Sequence, residues 1–322
     1  MTRGTRGRAR IAMVAAAVSV ASAFSLDAQR PVDDAIPRTF KGGVDLVSLN
    51  VTVTDTHGRF LTELESGDFS VFEDGVKQDV AVFARMSAPI ALVILLDTSG
   101  SMQPKIRTAQ DAAVEFARRL RIQDVAQVIG FESHVRVVQD FTNSVPELEH
   151  AIRSTTSGGS TSLFNAIYIA LNNLARAPAV TDDALRRRAI VVLSDGEDTS
   201  SLLPFEETLD AAKRSDTSIY TILLRDPYEV HLLLRENEGS FVMKQFAQAT
   251  GGRAFVATDI SQLRGIYSGI ADELSSQYLL GYTSNNRKAD GRYRNVMVRA
   301  GRSNAVVRTR PGYYAPRKDP TS

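Results

Sequence analysis

The chain contains no cysteine and no tryptophan, has four histidines, and carries a formal net charge of +1 over 322 residues. Without cysteine there can be no disulfide, no thiolate nucleophile, no thiolate metal ligand and no thiol for lipid attachment. A charge so near zero lacks the field expected of a nucleic-acid surface, so no nucleic-acid partner is expected. His57, His134 and His231 are scattered, none at metal-ligand spacing from another, which gives no support to a zinc centre. Also missing are a Ser-His-Asp grouping and the Gly-rich lysine loop that cradles phosphates. What remains is ordinary for a globular chain of one large or two modest domains, with 43% hydrophobic and 23% charged residues.

Uncharged apolar runs are short. The run at residues 11–20 follows Arg3, Arg6, Arg8 and Arg10 and precedes Ala21-Ser22-Ala23, a small-x-small cleavage pattern with a second candidate cut after Ala28. Residues 1–28 therefore read as a signal peptide, and the run is short for a membrane span. There is no twin-arginine pair. The expectation is a secreted or periplasmic protein, peripherally associated with the envelope and without a transmembrane segment once the signal is removed. An uncleaved amino-terminal anchor is the alternative.

Residues 29–43 read as a flexible lead-in. From 44 to 87 the pattern is β: Val47, Leu49, Val51 and Val53 alternate with polar residues, and Asp74-Gly75 marks a hairpin between strands at 69–73 and 78–83. Leu61 and Leu64 read as core plugs in the connection between strands. Three strands are marginal alone. Residues 277–314 supply β-prone partners at 277–282, 292–299 and 304–310, with a flexible tail at 315–322. The two ends are expected to pair into one β-sandwich-like domain, the rival being two separate small β units. Between them, residues 88–276 alternate short apolar strands with amphipathic helices. That predicts an α/β domain with a mainly parallel central sheet covered by helices on both faces, inserted into the β domain. Residues 225–238 read either as a helical turn or as a plain loop.

The chemistry concentrates at strand ends. The buried run Leu92-Val93-Ile94-Leu95-Leu96 ends in Asp97-Thr98-Ser99-Gly100-Ser101, which sets one carboxylate and two hydroxyls around a tight turn. Ligand crevices lie at such strand ends, and these oxygens suit a hard divalent cation. Further ligands are expected from Thr161, in Gly158-Gly159-Ser160-Thr161, and from Asp195, in Leu193-Ser194-Asp195-Gly196. Taken alone, Thr161 reads as a helix cap and Asp195-Gly196 as a turn. Glu197 and Asp198 read as a solvated rim or as groups that tune a partner's charge. Asp124 reads as a structural turn or cap, and Met102 as a packing residue.

Together these three segments resemble the metal-ion-dependent adhesion site of von Willebrand factor type A domains at each of its five positions. Residues 69–75 with Gln78, 249–255, 278–282, 291–298 and 310–313 extend the likeness to a group of bacterial von Willebrand factor type A-related proteins, secreted or envelope-associated and abundant in acidobacteria. The resemblance implies a Rossmann-like fold and a Mg²⁺ ion, with Mn²⁺ or Ca²⁺ as alternatives. Ser99, Ser101 and Thr161 would bind it directly, and Asp97 and Asp195 directly or through water. Two carboxylates leave such an ion electrophilic, and the family's mode of binding implies a protein partner that completes the coordination with an Asp or Glu. The expected function is a metal-dependent adhesion or interaction module and not an enzyme. The alternatives are a structural envelope protein with the metal as a fold staple, and a Mg²⁺-dependent phosphohydrolase with Glu197 or Asp198 as base. Oligomeric state is not legible.

Overall fold

The computed structural model describes residues 46–85, 89–177, 187–225 and 238–317. The expected signal peptide (1–28), the lead-in (29–43), the body of the ambiguous loop (226–237) and the last five residues lie outside the described residues.

The strand-rich beginning forms β1 (Leu46–Thr54), β2 (Phe69–Glu73), β3 (Val76–Gln78) and β4 (Val80–Arg85). The middle contributes strands β5 (Ile90–Asp97), β6 (Val125–Phe131), β7 (Val135–Thr142), β8 (Arg187–Ser194), β9 (Thr217–Leu224) and β10 (Ala254–Ala257). Its helices are α1 (Ile106–Ala117), α2 (Val145–Ser154), α3 (Leu163–Ala175), α4 (Phe205–Arg214), α5 (Glu238–Thr250) and α6 (Leu263–Ser275). The end adds β11 (Tyr278–Thr283), β12 (Tyr293–Ala300), β13 (Val306–Arg308) and β14 (Gly312–Tyr314).

Among the described residues the central sheet runs β10-β9-β8-β5-β6-β7. All its pairings are parallel except that of the edge strand β7, which lies antiparallel to β6. Every residue of β5 and β9 is buried, as a sheet covered on both faces requires. The period of two then divides the strand between two cores. Ile90, Leu92, Ile94 and Leu96 pack with α1, α2 and α6, while Ala91, Val93 and Leu95 pack with α3 and α5. Local signals agree with the helices. Ser144 accepts from Glu147 N at the start of α2, and α4 carries Glu206 and Glu207 in its first turn and Lys213 and Arg214 in its last, complementing the helix dipole. Met102 is fully buried in the first core. Asp124 accepts from Ile90 N at 2.9 Å and from Arg121, a structural tie between strand starts.

The two chain ends interleave, in sheets ordered β13-β1-β11-β4 and β14-β12-β2-β3. β11 lies antiparallel between β1 and β4, and β12 lies antiparallel to β2. One shared core, including Val47, Leu49, Leu64, Phe69, Tyr278, Tyr282 and Val298, fills the space between them. The strand expected at 78–83 is corrected to two strands in different sheets. β3 closes the Asp74-Gly75 hairpin against β2, and after Asp79 the chain crosses to pair with β11. Gln78 and Val82 are both buried, so the period of two runs through the crossing and conceals it. Residues 304–314 cross in the same way, from β13 in one sheet to β14 in the other.

The halves meet through a buried polar cluster. Glu273 of α6, 1% exposed, accepts from Tyr220 Oη of β9 at 2.7 Å, from Thr52 Oγ1 of β1 at 3.3 Å and from Arg308 of β13.

Candidate binding site at the strand ends

β5 lies between β6 and β8, so the ends of these three strands border one crevice, the position at which open α/β sheets receive ligands. Asp97 ends β5 and is 1% exposed. Its Oδ1 accepts from Ser99 N at 2.8 Å, which folds the turn, and its Oδ2 accepts from Ser194 Oγ at 2.6 Å. From there an oxygen chain runs outward: Ser99 Oγ lies 3.0 Å from Ser101 Oγ, and Ser101 Oγ donates to Asp195 Oδ2 at 2.5 Å. Four of the five expected residues are thus joined by consecutive hydrogen bonds within the turn and across to β8.

Thr161 is placed differently. Its loop lies along the turn, with Gly100 N donating to Gly159 O at 3.0 Å and Gly158 N to Thr98 O at 2.8 Å. Thr161 itself is bonded to the loop after Asp195: its N–H donates to Thr199 Oγ1, and its carbonyl accepts from Thr199 N and Ser200 N, all at 2.9 Å. Its hydroxyl makes no hydrogen bond among the described residues, although the residue is 5% exposed.

Burial, with Asp195 adding repulsion, pushes the Asp97 carboxyl up to about 6, against the hydrogen bonds from Ser194 and Ser99. Among the described residues, no Lys or Arg is ion-paired to Asp97 or Asp195. Nor do three His, Asp or Glu side chains gather there in a group that could hold a metal ion. The arrangement is two carboxylates with neutral hydroxyls.

Two residues beside this site were given no role from the sequence. Ser194 is fully buried, orients Asp97 and accepts from Gly196 N. Its signal was a hydroxyl directly before Asp195 at the end of an apolar strand. Glu132 follows β6, and its carboxylate lies where a Cβ on Gly159 would fall, so a side chain at 159 would have to displace that carboxylate and would be strained at φ 74°. Its signal was its position immediately after a buried strand. Beside it a polar recess of about 290 Å³ is lined by Thr98, Glu132, His134, Arg136 and Gly158. Asp198, expected as a solvated rim or as a group that tunes a partner's charge, lies close by. It accepts from Ser201 Oγ at 2.6 Å and from Phe164 N at 3.3 Å, so it helps to cap α3. Gly196, at φ 88°, lets the Asp195 loop pack directly on Gly239 of α5.

Residues 92–197 match the family model described as von Willebrand factor type A domain. Over 233 residues the chain is 26% identical to a UPF0353 protein of Mycobacterium tuberculosis, covering 67% of this chain and 69% of that protein. A UPF0353 protein of Mycolicibacterium gilvum is 24% identical over the same span. Among solved structures, von Willebrand factor type A from Catenulispora acidiphila aligns with TM-score 0.49 and 13% identity, covering 88% of this chain and 76% of that one. The conserved hypothetical protein BatB from Bacteroides thetaiotaomicron aligns with TM-score 0.45 and 19% identity, covering 58% of this chain and all of that one. The family-model match and the helix-covered, mainly parallel sheet give the middle of the chain a von Willebrand factor type A fold.

Proposed function

We propose that this protein is a metal-dependent interaction module, not an enzyme, and that it works outside the cytoplasm. In this reading Asp97, Ser99, Ser101, Thr161 and Asp195 hold a divalent cation, Mg²⁺ in the first instance and Mn²⁺ or Ca²⁺ as alternatives. When bound, the cation supplies a Lewis-acidic position that a partner's Asp or Glu carboxylate can occupy.

The observation that carries this reading is a buried carboxylate, Asp97, close enough to Asp195 to be affected by its charge, with no cationic side chain among the described residues paired to either. Buried charge of one sign calls for compensation. The surrounding donors are all oxygen, and the hydroxyls of Ser99 and Ser101 are already in line with Asp195. The Thr161 hydroxyl has no competing partner among the described residues. Ser194 holds Asp97 in its rotamer, and the Thr199 and Ser200 contacts hold Thr161 against the Asp195 loop. An oxygen donor set with two carboxylates fits a hard divalent cation, balances its charge without over-neutralising it, and leaves it electrophilic toward the carboxylate of an acidic partner. The placement outside the cytoplasm rests on the arginine-led apolar run at the amino terminus. No helix among the described residues is long and apolar enough to cross a membrane.

The test is binding of a surface-immobilised acidic peptide library to the full chain in Mg²⁺ and in chelator. Binding should depend on Mg²⁺ and vanish in Asp195→Ala. Equal binding in both buffers, or binding retained by Asp195→Ala, overturns the reading.

A further inference from the structure

A second concavity, apart from the strand-end site, lies where α4 meets the chain-end sheets. Its volume is about 470 Å³, within the range of small-molecule sites, roughly 300–1,000 Å³. Arg214, Arg287, Lys288, Arg294 and Arg310 line it, against a single acid, Asp216.

The charges are not equally available. Arg294, 3% exposed, pairs with the buried Glu73 at 3.2 Å, and Glu73 also accepts from Tyr282, Tyr313 and Ser284. Arg214 pairs with Asp210 at 3.1 Å and lies 3.8 Å above the Tyr314 ring. Arg310 pairs with Asp216 at 2.6 Å, yet its Nε is buried with no acceptor. Arg287 and Lys288, both exposed, form no ion pair among the described residues. They are nevertheless held in place, because Arg294 donates to the carbonyls of Asn286 and Lys288 and fixes the turn that carries them. The cleft therefore has a neutralised floor, two uncompensated cations on a braced turn, and a wall of Tyr313, Tyr314 and Pro316. Pre-placed cations of this kind recognise oxyanions, and half-apolar walls take the body that carries them.

We propose that this cleft binds a small organic anion: a phosphate or carboxylate on a sugar-sized body, with Arg287 and Lys288 engaging the anionic group and the tyrosine wall the body. The site is independent of the strand-end reading, and a ligand there would touch both the α/β domain and the β domain. The experiment is calorimetric titration of the full chain, at constant ionic strength, with glucose 6-phosphate, glucuronate, inorganic phosphate and glucose. One of the two sugar anions should bind saturably at millimolar concentration, with inorganic phosphate weaker and glucose not binding; which anion binds separates phosphate from carboxylate recognition. The double variant Arg287→Ala, Lys288→Ala should weaken that binding about tenfold or more, with an unchanged melting temperature in the absence of ligand. No saturable binding by either sugar anion, glucose binding as tightly as the anions, or full affinity in the double variant each overturns the proposal.

Discussion

Replacing Asp97 by Asn probes the charge at the strand-end site while keeping its shape. In the folded chain the Asp97 carboxyl is pushed up to about 6 from 3.8, chiefly by burial. A group whose folded value exceeds its unfolded one contributes stability below the unfolded value and loses it as pH rises through the folded value. Asp97 therefore favours folding below about pH 3.8 and costs the metal-free fold about 3 kcal/mol above pH 6. Asn removes that cost but must set its amide against Ser194 Oγ, which now donates to Asp97 Oδ2. The net gain in chelator near pH 7.5 should be about 1–2 kcal/mol, shrinking as the pH falls toward 4. Mg²⁺ at a hundred times its dissociation constant should stabilise the native chain by about 2.7 kcal/mol and leave the Asn variant unmoved, so that the order of stabilities reverses. Urea unfolding in chelator and in Mg²⁺, at both pH values, reads all four corners. An Asn variant less stable than the native chain in chelator near neutral pH, or an equal response of the two chains to Mg²⁺, refutes the reasoning.

Two further outcomes follow from packing. Gly196→Ala places a Cβ against Leu223 and the Gly239 backbone at a positive φ, and should cost at least about 2 kcal/mol in a denaturant melt; a change below about 0.5 kcal/mol would mean the Asp195 loop does not depend on that contact. Glu73→Ala leaves Arg294 buried without its carboxylate and should cost about 3–5 kcal/mol, much of it recovered in the double variant with Arg294→Met. A double variant as unstable as the single would locate the loss in packing rather than in the stranded charge.

Much of the architecture was legible along the chain because it rests on local periodicity. A strand buried on both faces must be apolar throughout, so β5 and β9 announce themselves, and the residue that ends β5 is then positioned at a crevice. Asp97, Ser99 and Ser101 were readable for that reason, since five residues suffice to define the turn. The β domain was legible as alternation but not as partnership. A period of two states which face of a strand is buried and says nothing of which sheet it joins, and so the crossings after Asp79 and Arg308 left no mark. Two buried glutamates were equally silent: Glu73 and Glu273 look like any surface glutamate until Arg294 and Arg308, 221 and 35 residues away, are brought beside them.

Backbone sterics and the burial of apolar side chains act over a few neighbouring residues, and that reach covers the helices, the strands, the turn at Asp97 and the oxygen chemistry of the site. Electrostatic compensation and hydrogen bonding act between groups that the fold alone makes neighbours. The contact of Ser101 with Asp195, the grip of Ser194 on Asp97, the Glu132 carboxylate against Gly159 and the basic cleft beside α4 all join distant segments, and they took form when the chain closed around them.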